Sequence, residues 1–125
     1  GTDDVAAQGR AVGALAAMVS RRGQRLRLDG NQCWSLEEAV AFVSAVGPDG
    51  VAGIEYIEEP LQDPAQLPQF GQQTGVKFAL DESVEQDQWR PLLGDAHLAA
   101  VVVKPAVLGG LEAALAVQGE CGGGV

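Results

Sequence analysis

Ile54-Glu55-Tyr56-Ile57-Glu58-Glu59-Pro60 reads as a short buried strand that ends in two carboxylates and a proline. Pro60 has no backbone N–H and tends to stop the strand where the acids sit. A carboxylate at a strand's end is costly to bury and is usually paired or bound to a metal. Three more stretches share this design. Arg25-Leu26-Arg27-Leu28-Asp29 and Lys77-Phe78-Ala79-Leu80-Asp81 end in acids, and Ala99-Ala100-Val101-Val102-Val103-Lys104 ends in a base. Asp29, Glu58, Asp81 and Lys104 follow one another at steps of 29, 23 and 23 residues, room in each gap for one helix and two short loops. Four successive strands would carry three carboxylates and one ammonium at their C-terminal ends, where parallel α/β folds keep their active sites.

The intervening segments read as helices. Val5, Val12, Ala16 and Val19 share one helical face between Asp3 and Arg22, with Thr2 or Asp3 as cap and Gly23 as stop. Ser35-Leu36-Glu37-Glu38 is a capping box that opens a helix to about Val46, and Gly47-Pro48-Asp49-Gly50 reads as a loop. Asp63-Pro64 starts a helix that buries Leu67 and Phe70 and ends at Gly75. A short helix is predicted near Trp89, and Gly109-Gly110 opens a last one over Leu111 to about Gln118. The Lys104 strand is the most apolar and is predicted to be covered on both faces. This alternation predicts an α/β fold with a parallel sheet and helices outside it.

Composition narrows the partners. The 125 residues carry a net charge of −9 and are 46% hydrophobic, which suits a folded domain and not a nucleic-acid or anionic-membrane surface. No apolar run approaches the roughly 20 residues of a membrane helix. Cys33 and Cys121 lack metal-type spacing and suggest a reducing compartment.

Side chains alternate along a strand, so Arg27 and Asp29 share a face, as do Tyr56 and Glu58, and Ala79 and Asp81. If the strands are neighbours in order, Asp29, Glu58 and Asp81 converge. Three hard oxygen ligands suit Mg²⁺ or Mn²⁺, and a metal so held can stabilise an enolate or alkoxide. The plain alternative is that each acid only caps the turn after its strand.

Leu28-Asp29-Gly30-Asn31, Ile57-Glu58-Glu59-Pro60-Leu61, Leu80-Asp81-Glu82-Ser83 and Val103-Lys104-Pro105 with Gly109-Gly110 resemble the enolase superfamily, muconate-lactonising branch. Within it, the flanking Trp34-Ser35-Leu36-Glu37-Glu38-Ala39 and the Val-Val-Lys-Pro run most resemble the o-succinylbenzoate synthase family of menaquinone and phylloquinone synthesis. Dipeptide epimerases and N-succinylamino acid racemases share most of these motifs. The resemblance implies a partial (β/α) TIM-type barrel comprising barrel strands three to six. It implies Mg²⁺ (or Mn²⁺) on Asp29, Glu58 and Asp81, with Lys104 catalytic and electrostatic, opposite the proton-abstracting base. Asn31, Arg27 and Glu82 would support the ligands or orient substrate. Gly30 departs mildly from the family's commoner alanine.

The family's Lys-x-Lys base does not occur in this sequence and is expected upstream of Gly1, and the capping domain and remaining barrel strands are expected to be absent. An inactive fragment with only a metal-ligand remnant is the other-class alternative. The implied partner is a small-molecule carboxylate, in the cytoplasm or plastid stroma. Open sheet edges would favour self-association. Glu59 is read as a ligand-supporting or solvated residue, Trp34 and Cys33 as packing, and His97 as a surface or capping group.

Overall fold

The computed structural model describes residues 1–81, 90–102 and 114–116. Among the described residues, three α-helices and five strands follow in the order α1 (Thr2–Ser20), β1 (Leu26–Asp29), α2 (Leu36–Val51), β2 (Ile54–Glu58), α3 (Leu67–Thr74), β3 (Phe78–Asp81), β4 (Leu98–Val102) and β5 (Ala114–Ala116). All sheet pairs are parallel, in the order β4-β3-β2-β1-β5. From β1 to β4 each strand lies beside the next. Over these four strands right-handed crossovers in one direction put their connections on one face, the winding of a barrel, while β5 lies on the other side of β1.

The core lies between that face and the helices. Leu26 and Leu28 of β1 and Ile54 and Ile57 of β2 are buried there with Val5, Val12 and Ala16 of α1 and Phe42, Val43 and Val46 of α2. Trp34 is 1% exposed and its ring lies 4.5 Å from that of Phe42, so it packs a helix to the sheet as read from the sequence. α1 approaches α2 with almost no side chain between them. A Cβ on Gly9 would stand 2.5 Å from Phe42 O, and one on Gly13 2.4 Å from Val46 O.

The local signals act where expected at several ends. Ser35 Oγ accepts from Glu38 N at 3.1 Å, and Glu38 Oε1 accepts from Ser35 N, completing the capping box. Asp63 Oδ1 accepts from Ala65 N at 3.0 Å, and Gly75 ends α3 in the left-handed region at φ 73°. α1 has Gly1 at its cap position with no side-chain bond, so neither Thr2 nor Asp3 caps it. At Gly47 (φ 79°) the helix breaks as predicted, but Pro48 starts one further turn that carries α2 to Val51.

Two expectations change. Among the described residues β4 is the outer strand of the sheet, and Val101 on it is 42% exposed, against the expected cover on both faces. Residues 114–116, expected inside a helix, form β5 and pair in parallel with β1. Alanine and leucine favour helix only weakly, and an open strand edge offers hydrogen bonds that outweigh that preference. Cys33 is 9% exposed and belongs to the core, in line with its reading as a packing residue. The helix expected near Trp89 lies outside the described residues; a single 3-10 turn follows at Arg90–Leu92. No helix among the described residues is long and apolar enough to cross a membrane.

Candidate metal centre and the comparison with known proteins

The helix-free face of the sheet carries the polar positions of its strands. β1 alternates buried and half-buried, leaving Arg27 and Asp29 half-buried on this face. In β2 the pattern is buried, half, half, buried, half, because an extra residue enters the ladder. Leu26 pairs with Ile54 but Arg27 pairs with Tyr56, so Glu55 is bulged out. The bulge brings Tyr56 and Glu58 level with Arg27 and Asp29. Asp29 and Glu58 are thereby direct register partners at the C-terminal ends of neighbouring strands. Glu58 pairs in turn with Ala79 of β3, and Asp81 stands two positions beyond Ala79 on the same face of that strand.

The turns beyond these strands are interlocked. Asn31 N donates to Asp29 Oδ1 at 2.9 Å, which orients that carboxylate. Gly30 N donates to Glu58 O and Gln32 N to Glu59 O, both at 2.7 Å, while Glu59 N reaches Ala79 O at 2.9 Å. Asn31, Gln32 and Glu59 all have left-handed backbones, at φ 53°, 57° and 46°. That conformation costs a non-glycine residue about 1 kcal/mol or more, and such residues gather at functional sites. Gly30 is tightly enclosed, since a Cβ there would lie 2.7 Å from Pro60 Cα. The absence of a side chain at this position is therefore a packing requirement of this chain and not a mild departure.

Arg27 stands one level below the two carboxylates. Its Nε donates to Glu55 Oε2 at 2.8 Å and its guanidinium lies 5.6 Å from the Tyr56 ring centroid. Glu59 is 3% exposed and accepts from Gln32 Nε2 at 3.2 Å, so of its two readings the solvated one is excluded. Gln32 is a member of this network that its sequence context does not announce. Asn31 could have signalled a left-handed turn, because asparagine tolerates one, but glutamine gives no such sign. His97 is structural: its N–H donates to Asp95 Oδ1 at 2.8 Å and its O accepts from Phe78 N. Lys77 is exposed at the opposite end of the sheet. Lys104 and Glu82 lie outside the described residues, as does the side chain of Asp81. Among the described residues no three His, Cys, Asp or Glu side chains form a cation site, since the third proposed ligand is Asp81.

The donor set itself fits Mg²⁺. Two carboxylates on adjacent strands are hard oxygen donors, and Glu58 Oε1 is buried. Like charges at neighbouring register positions destabilise each other unless a cation or a proton intervenes.

Residues 1–121 match the family model described as Enolase C-terminal domain-like. Over 90 residues the chain is 34% identical to the o-succinylbenzoate synthase of Pasteurella multocida, covering 70% of this chain and 27% of that protein. It is 39% identical over 88 residues to the Haemophilus influenzae o-succinylbenzoate synthase, covering 70% of the chain and 26% of the relative. With the Citrobacter koseri o-succinylbenzoate synthase the figures are 38% over 87 residues, 70% and 27%. The chain thus spans about a quarter of the length of the curated relatives it matches. Its run of neighbouring parallel strands β1 to β4 is part of a TIM-type barrel, and the chain belongs to the enolase C-terminal domain-like family.

Proposed function

We propose that this chain supplies the metal-binding strands of an o-succinylbenzoate synthase-like lyase of menaquinone or phylloquinone synthesis. The observation that carries this reading is the direct pairing of Asp29 with Glu58 at the C-terminal end of a parallel sheet. Asp81 on the next strand is the third ligand.

Asp29, Glu58 and Asp81 would hold Mg²⁺ through carboxylate oxygens, leaving the other positions to water or substrate. When bound, the ion offsets negative charge that develops on a substrate carboxylate as its α-proton leaves. The chain's residues hold that arrangement in place. The Asn31 N–H fixes the Asp29 carboxylate, and the bulge at Glu55 keeps Glu58 in register with it. Lys104, two residues after the last residue of β4 in the sequence, would add a second positive charge to the site. On this reading a base supplied elsewhere in the protein would take the α-proton, and loss of water from the substrate would give the aromatic product.

Racemisation is the competing use of this site and requires Lys104 to exchange protons itself. The two are separated by incubating the full protein that carries this chain in D₂O. The lyase reading expects o-succinylbenzoate to form, seen by its aromatic absorbance, with some turnover left in Lys104→Arg. Deuterium entering the α-carbon of an N-succinylamino acid from both faces, with Lys104→Arg stopping one of them and no aromatic product, would make the protein a racemase.

A further inference from the structure

We propose that Glu59 is a positioning residue, whose buried carboxylate latches the turn after β1 through Gln32 and so holds the Asp29 carboxylate beside Glu58. The inference rests on the metal reading of Asp29 and Glu58 and adds the group that keeps them aligned.

Glu59 is almost fully buried, which for a carboxylate requires compensating bonds. Its Oε2 takes the Gln32 side-chain amide at 3.2 Å, and its backbone O takes Gln32 N at 2.7 Å. One residue of β2's end therefore grips one residue of β1's turn twice. Gln32 is held left-handed next to Asn31, and Asn31 N is the donor to Asp29 Oδ1. On its other side Glu59 N is tied to Ala79 O of β3. The latch thus spans the ends of the three strands that carry Asp29, Glu58 and Asp81. None of its members need touch the metal. Outer partners of this kind orient ligands, and their loss typically weakens metal binding about 10- to 100-fold.

The test uses the full protein and three variants, Glu59→Ala, Glu59→Gln and Gln32→Ala. Two quantities are read: amide hydrogen exchange over residues 31–32 without metal, and Mn²⁺ affinity by electron paramagnetic resonance. Glu59→Ala is expected to speed exchange at these amides and to weaken Mn²⁺ binding, each roughly tenfold. Gln32→Ala changes both in the same direction. Glu59→Gln keeps an oxygen that accepts from Gln32 Nε2, so it stays within about threefold of the parent. Rescue by glutamine separates the hydrogen bond from mere filling of space. Unchanged exchange in a folded Glu59→Ala overturns the latch. Faster exchange with unchanged Mn²⁺ affinity overturns its positioning role, and so does a Glu59→Gln as damaged as the alanine variant. If Glu59→Ala does not fold, Gln32→Ala, at an exposed residue, decides the same questions. A parent that binds no Mn²⁺ sinks the metal reading instead, and the exchange data still judge the latch.

Discussion

Gly13→Ala adds a single methyl at the closest approach of α1 to α2. In place, that Cβ would lie 2.4 Å from Val46 O and 3.1 Å from Val46 Cα. Ordinary van der Waals contact begins near 3.4 Å, so one helix must shift by about 1 Å or the contact must open. The neighbour is helix backbone and has no rotamer to change. Val12, Ala16, Phe42 and Val46 pack around the contact and would lose complementarity together. Overpacking of this kind costs about 1–3 kcal/mol. Alanine recovers about 0.8–1 kcal/mol of helix propensity over glycine, which leaves a net destabilisation of about 0–2 kcal/mol. Urea unfolding of the full protein measures it as a lower midpoint at unchanged slope. Gly94→Ala is the control, since nothing lies within 4 Å of its added Cβ. A Gly13→Ala protein more stable than the parent by the full helix-propensity gain would refute the close packing of α1 on α2.

Ser35→Ala removes the oxygen that accepts from Glu38 N and should cost about 1 kcal/mol, read by the same unfolding curves. Val101→Lys places a charge on the outer strand of the sheet, so the isolated chain should self-associate less in sedimentation than the parent; equal association would clear the β4 edge of the role.

Much of the architecture was legible because local chemistry and tertiary structure agree. The capping box at Ser35, the Asp63-Pro64 start and the Gly75 stop are short-range signals with short-range causes. The strand-end acids were legible because period-two alternation fixes which residues share a face. Other features depend on what lies beside a segment in space. β5 is a strand because β1 offers an edge, and no periodicity in Ala114–Ala116 reports that. Gly9 and Gly13 carry no hydropathy, so the face given by Val5, Val12 and Ala16 did not show how closely α2 approaches. Glu59 is buried because Gln32, 27 residues away, reaches it, and the bulge at Glu55 is visible only in the pairing of two strands. The candidate site was therefore readable as a row of strand-end acids and not as the turns that align them.

The central claim is that Asp29, Glu58 and Asp81 form one metal centre, and a titration of the full protein with Mn²⁺ tests it most directly. The account predicts one ion bound per chain in competition with Mg²⁺, and a loss of affinity of at least about tenfold in each of Asp29→Ala, Glu58→Ala and Asp81→Ala while the protein stays folded. A parent that binds no ion, or any one of these variants binding it as tightly as the parent, would contradict it.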